Sequence, residues 1–240
     1  MTQHAALDSN RHRDLRVRTA TGAELGDGVM ATLTVPSEFR QVQAHYPILF
    51  RRETGQEAFI AMALFGFEPG ENLYLDAGGW DARYRPLSAA IQPFLVGRPA
   101  SGEGPGQVHI DLDHPRIARS GDDGVRLFDG DGQATPYLED MAEKLGALDE
   151  GYRASAGFFA ALRDHDLLEP FTLEVTLDDG SVNSLVGFHI IDEAKLQALD
   201  GETTGKLHAD GHLVPIFMAL ASLSQLAPLI ERKNRRLGHG

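Results

Sequence analysis

The sequence contains no cysteine. Disulfides, thiolate zinc sites, iron–sulfur ligation and cysteine nucleophiles are therefore excluded. Bases are scarce: 22 Lys and Arg stand against 35 acids, a formal net charge of −13. Such a chain repels phosphate backbones unless its bases cluster. The one basic cluster, "ERKNRR" at 231–236, reads as the end of a helix, so no nucleic-acid partner is expected. There is no Gly-x-Ser-x-Gly elbow for Ser-His-Asp hydrolysis. "GEGPGQVHI" alternates glycines but precedes a strand and lacks Gly-Lys-Ser/Thr, so phosphate cradling has little support. The opening "MTQHAALDSNRHRDLRVR" lacks the apolar core of a signal peptide. A cytoplasmic location is expected, with residues 1–13 as a flexible N-terminal tail.

Long apolar runs are also few. One uncharged stretch, "LVPIFMALASLSQLAPLI" from Leu213 to Ile230, reaches the lower limit for a membrane span. It reads as a buried core helix, without integral membrane insertion. Pro215 suits its first turn, Pro228 lies near its end, and the following bases complement its dipole.

What remains is an ordinary globular composition, 42% hydrophobic and 24% charged. The 240 residues suit a single domain over 14–240. The alternative is two related lobes, about 30–130 and 131–235, because two hairpin patterns reach the phrases Leu64-Phe-Gly-Phe67 and Leu185-Val-Gly-Phe188. In the first pattern, "YPILFRR" and "EAFIAMALFGF" flank "ETGQ". In the second, "FTLEVTL" and "VNSLVGFHII" flank "DDGS". Gly55 and Gly180 supply the positive φ of tight turns. Phe171, Leu173, Val175 and Leu177 alternate with polar residues, which predicts a strand with one wet face.

Short strands are expected at "NLYLD", "VHIDLD" and "VRLFD". Two helices are expected at "TPYLEDMAEKLGALDEG" and "YRASAGFFAALRDHDLL", the first capped by Thr135 with Pro136 at its first helical position. Strands and helices do not alternate as in βαβ units. The expected class is α+β: an antiparallel or mixed sheet of two hairpin units, packed with helices that include the apolar C-terminal one.

"HIDLDHPR", 109–116, offers the His-x-Asp spacing of two-His-one-carboxylate iron sites. His109, Asp111 and a distant histidine such as His189 would complete one, with His165, His208 and His212 as other third ligands. The competing account is a polar strand face ended by Pro115, and no metal or other cofactor is expected. "HADGH" places His208 and His212 four apart around a turn, not on a helix. "FDGDGQATPYLED" imitates a calcium loop but carries Ala134 at the glycine position and Asp140 at the last, so it reads as a strand-to-helix turn. The most distinctive segment is "GGWDARYRPLSAAIQPF". Trp80, Arg83, Tyr84, Arg85 and Phe94 can form a stacked, bidentate surface for carboxylates or a peptide.

In order, the chain carries "YPILF", "ALFGFEPGENLYLD", "GW", "YRP", "PF", "IDLDHPR", "LFDGDGQATPYLED", "LVGFHIIDEAKLQAL" and "DGHLVPIFMALASLSQLAPLIERK". This series, from about Tyr46 to the last helix, resembles the SapC family of bacterial proteins. The peptide-transport permease of the same name is distinct, since it needs a set of spans. The resemblance implies a soluble protein of Gram-negative bacteria with no assigned activity. It also implies genes for TonB-dependent outer-membrane receptors, flavin-dependent halogenases and cupin-type oxygenases nearby. It supports Asp111 and the 80–94 segment as recurrent features, although here the arginines stand before Pro86 instead of directly before Pro93-Phe94. A binding or accessory protein with a protein or peptide partner is the expectation, and an iron oxygenase is the alternative. Neither the ligand nor the oligomeric state is legible.

Overall fold

The computed structural model describes residues 3–53, 58–98, 106–118 and 123–238. Its strands in chain order are β1 (His4–Ala6), β2 (Arg16–Val17), β3 (Ala31–Thr34), β4 (Ile48–Arg52), β5 (Phe59–Leu64), β6 (Leu75–Asp76), β7 (Gly79–Trp80), β8 (Phe94–Gly97), β9 (Gln107–Asp111), β10 (Ile117–Ala118), β11 (Val125–Arg126), β12 (Leu168–Thr176) and β13 (Val182–Ile191). The helices are α1 (Phe39–Val42), α2 (Leu87–Ala90), α3 (Pro136–Asp164), α4 (Glu193–Gln197), α5 (Gly201–Ala209), α6 (Leu213–Ser222) and α7 (Leu226–Gly238). The class is α+β with antiparallel pairing throughout the named strands.

Both hairpins form, and they lie side by side in one five-stranded sheet of order β12-β13-β4-β5-β3. Phe50 faces Ala61 in the first, Leu173 faces Leu185 in the second, and His189 of β13 faces Phe50 of β4. The turn at Gly55 falls outside the described residues. Gly180 turns the second hairpin at φ +83°, a conformation that costs glycine little. Gly187, at φ +84°, sits where the β12/β13 register slips between Phe171 and Leu173, as expected of a bulge.

Residues 136–164 form a single helix of 29 residues, where two had been expected. The expected boundary falls at Gly151, which does not end α3. A side chain at Gly151 would meet Ser37 Oγ at 2.7 Å and Val35 Cγ2 at 2.8 Å, so this glycine permits close packing instead of termination. Thr135 caps the helix as read, accepting from Leu138 N at 3.4 Å. The helix is ~43 Å long at 1.5 Å per residue, enough to serve two cores. Its C-terminal half gives Phe158 and Leu162 to the core against the main sheet. Its N-terminal half gives Leu138, Met141 and Leu145 to a second core with Val17, Phe94, Ile110 and Leu127. That second core lies against the small sheet β1-β9-β8.

The N-terminal segment read as a flexible tail supplies β1, whose His4 pairs with Asp111 and whose Ala6 pairs with His109. The apolar C-terminal run is α6, a 3-10 turn at Leu223–Gln225, and α7. Pro228 is in the first turn of α7, not near the helix end, where its missing N–H is tolerated. Ile216, Ala219, Ser222 and Leu229 are buried, but Val214 and Phe217 are 50% and 52% exposed, so only one side of this run is core. By length and composition alone, Leu213–Gly238 could cross a membrane. The basic tail clamps α7 onto the 68–81 segment. Arg232 pairs with Asp81 at 2.7 Å and stands over the Tyr74 ring at 4.5 Å. Lys233 reaches Glu71 at 2.7 Å, and Arg236 donates to the Leu75 carbonyl at 2.6 Å.

Candidate functional site

The 80–94 segment leaves β7 at Trp80, turns through Tyr84 and Arg85, and enters the short helix α2 after Pro86. A chain of hydrogen bonds holds it. Trp80 Nε1 donates to Tyr46 Oη at 2.7 Å, and Tyr46 Oη donates to the Tyr84 carbonyl at 2.6 Å. Tyr84 Oη donates to Glu38 Oε2 at 2.7 Å, which also accepts from Leu87 N at 3.0 Å. Glu38 Oε1 accepts from Thr34 Oγ1 at 2.8 Å. This buried carboxylate thus fastens the segment to β3 and α1. Burial pushes the Tyr46 phenol up strongly, against a smaller lowering from the Trp80 hydrogen bond. Burial does the same to Tyr84, reinforced by the Glu38 carboxylate. Both hydroxyls therefore stay protonated donors at neutral pH.

Beneath this chain lies an ion cluster. Arg116, 2% exposed, places Nη2 at 2.8 and 2.7 Å from the oxygens of Asp27, which is 3% exposed. Its Nη1 donates to the Arg18 and Ala20 carbonyls at 3.0 and 2.6 Å. Asp27 also accepts from Gly22 N at 2.9 Å and from Arg85 Nη2 at 3.0 Å. Arg85 uses that same Nη2 for the Ala89 carbonyl at 2.8 Å, and its guanidinium stands 5.2 Å from the Trp80 ring centre. Its Nη1 and Nε donate to no protein acceptor among the described residues. Burial pulls the Arg85 guanidinium below its usual value; Asp27 opposes this and Arg116 adds to it.

A cavity of about 380 Å³ opens on the cluster, walled by Tyr84, Arg85, Gln92, Arg116, Tyr137 and Lys144, with Met141 behind them. Three of its described wall residues are cations and none is acidic. A smaller space of about 260 Å³ on the other side of Gln92 holds Asp27, Trp80 and His114. Burial pushes the His114 imidazole down, helped by Arg116 and opposed by Asp111 and Asp27.

The structure brings together Trp80, Tyr84 and Arg85 from the sequence reading. Arg83 is exposed and stands apart from the cluster, beside His45. Phe94 is 2% exposed in the second core, 6.3 Å from the Tyr137 ring, and is a packing residue, not a ligand contact. Asp27, Glu38, Arg116, Tyr137 and Lys144 were not foreseen. Arg116 belongs to "HIDLDHPR", but it is the arginine of that motif, not the histidine, that enters the cluster.

The trio proposed for iron does not assemble. His109 lies on β9 against Gly97, where an added Cβ would be 2.0 Å from Nε2. Asp111 Oδ1 accepts from Asp113 N at 3.0 Å. His189 is on the main sheet, 4.9 Å from the Phe59 ring. Among the described residues no three His, Asp or Glu side chains are placed to hold a metal ion. His208 closes α5 and His212 precedes α6. Asp129 accepts from Asp131 N and Gln133 N at 2.9 Å each, the geometry of a turn before α3.

No curated protein and no solved structure matches the chain significantly. The SapC family model matches residues 7–229, which spans both cores, the ion cluster and most of the C-terminal helices. The chain belongs to the SapC family.

Proposed function

We propose that this chain is a binding or accessory protein that captures an anionic ligand in the cavity walled by Arg85. It would do so in the cytoplasm, beside envelope or TonB-dependent uptake systems, the setting its family resemblance implies. The ligand is a small organic anion or the acidic end of a peptide or protein partner. The observation that carries this reading is Arg85: a guanidinium held by Asp27 and Trp80, with Nη1 unmatched among the described residues, in a cavity whose wall carries further cations. A cation-walled hole in a chain of net charge −13 concentrates anions at that point. The described cavity wall offers neither histidine nor carboxylate as a base, which favours capture over catalysis.

Calorimetric titration with acetate and inorganic phosphate at low ionic strength tests the reading. Wild-type protein should bind with an affinity that falls as salt rises. Arg85→Gln should weaken binding about tenfold, the scale of one charge-assisted contact. Arg83→Gln should leave it unchanged. Equal binding by wild type and Arg85→Gln would remove the site from consideration.

A further inference from the structure

We infer that the cavity selects a single carboxylate carried on a flat apolar body, in preference to a phosphate. This rests on the anion-binding reading above. The charge balance of the cluster points to one negative charge. Arg116 and Asp27 cancel each other, and both Nη groups of Arg116 are committed to Asp27 and to two carbonyls. Lys144 already pairs with Asp140 at 2.6 Å. Asp27 is thus shared by two guanidiniums, and the trio of Asp27, Arg85 and Arg116 keeps one net positive charge, centred on Arg85, whose Nη1 has no acceptor among the described residues. A carboxylate neutralises it; a phosphate dianion would leave an uncompensated charge close to Asp27, in surroundings that screen it poorly. A planar guanidinium also matches the two oxygens of a carboxylate in one plane.

The remaining walls describe the body of the ligand. Tyr84, Tyr137, Met141 and Ala90 line the cavity beside the guanidinium, with Thr19 and Gln92 as its uncharged polar members. The Tyr84 hydroxyl is turned to Glu38, so its ring, not its donor, is offered to a guest. About 380 Å³ holds about a dozen water-sized groups at ~30 Å³ each. That is the size of an aryl-alkanoic acid or of one terminal aromatic residue of a peptide. Both present the same chemistry, a carboxylate on a ring-bearing stem. Trp80 is the only tryptophan and sits against Arg85, so its fluorescence reports any guest that draws on that guanidinium.

The test is a fluorescence and calorimetric titration of the full chain with phenylpropionate, N-acetylphenylalanine, N-acetylphenylalanine amide, phenyl phosphate and acetate. Both ring-bearing carboxylates should bind about tenfold more tightly than phenyl phosphate, acetate or the amide, and should shift Trp80 emission. Tighter binding of N-acetylphenylalanine than of phenylpropionate supports a peptide C-terminus as the source; the reverse order supports a free acid. Phenyl phosphate binding as tightly as phenylpropionate overturns the charge match while leaving the anion site standing. Acetate binding as tightly as phenylpropionate overturns the apolar body. If none of these anions binds, the site itself falls. Arg85→Lys keeps the charge without the planar fork, so it separates the shape of the guanidinium from its charge. It should lose the preference for carboxylate over phosphate, and an unchanged preference counts against Arg85 as the selector.

Discussion

Arg116 Nη2 lies 2.8 and 2.7 Å from the two oxygens of Asp27, with both side chains almost wholly enclosed. The pair ties the loop after β9 to the "LGDG" turn and serves as the platform on which Arg85 rests. A buried pair adds little net stability over an apolar substitute, but removing one partner leaves an uncompensated charge. Asp27→Ala would strand two guanidiniums at once. Its expected cost is about 3–5 kcal/mol, read as a lower urea midpoint at unchanged slope. Arg85→Gln, which leaves the Arg116 pair intact, should cost much less. Equal losses for the two variants would mean that the platform is not the pair.

The glycines of α3 make a contrasting test. Gly146 has nothing within 4 Å of an added Cβ, whereas Gly151 faces Val35 and Ser37 below van der Waals distance. Gly146→Ala should stabilise by up to about 1 kcal/mol, the helix-propensity difference. Gly151→Ala should instead destabilise by about 1–3 kcal/mol, because overpacking outweighs propensity. Thermal unfolding of the two variants decides it, and a gain in both would show that α3 does not bear on the 35–37 segment.

Alkaline pH should unfold the protein through its buried phenols. Tyr46 and Tyr84 are raised strongly, and Tyr74 is pushed up to about 12, mainly by burial. Lys233 is also raised: its pairing with Glu71 and Glu68 outweighs the effect of burial. In each case the unfolded chain releases its proton first. Stability is therefore complete below about pH 10, the unfolded tyrosine value, and is lost as pH rises from there through the folded values. Tyr74 alone accounts for about 2–3 kcal/mol between those limits, at 1.36 kcal/mol per unit. Tyrosinate absorbance followed alongside far-ultraviolet circular dichroism should show ionisation arriving together with unfolding. Substantial ionisation in a folded chain would contradict the enclosed hydrogen-bonded arrangement.

Parts of the structure whose cause is local were legible in the sequence. The alternation Phe171, Leu173, Val175 with Gly180 specifies a hairpin without reference to anything distant. Thr135-Pro136 likewise announces the start of α3. The end of the first predicted helix was misplaced because a glycine looks the same whether it stops a helix or lets a neighbour approach. Trp80, Tyr84 and Arg85 lie within six positions, so their nearness is legible in the sequence, but the hydrogen bonds that tie them to distant residues are not. Tyr84 reaches Glu38 across 46 positions, Arg85 reaches Asp27 across 58, and Arg116 reaches Asp27 across 89.

Composition and pattern thus settled, on their own, an α+β chain free of thiol chemistry, with two hairpins and an ordered series of motifs that marks its family. Tertiary structure alone decided which charges meet. Periodicity reports which side of a strand or helix is apolar, because burial acts on each residue separately. A buried ion cluster depends instead on partners supplied by different elements, and only the packed chain brings Asp27, Arg85 and Arg116 to one point.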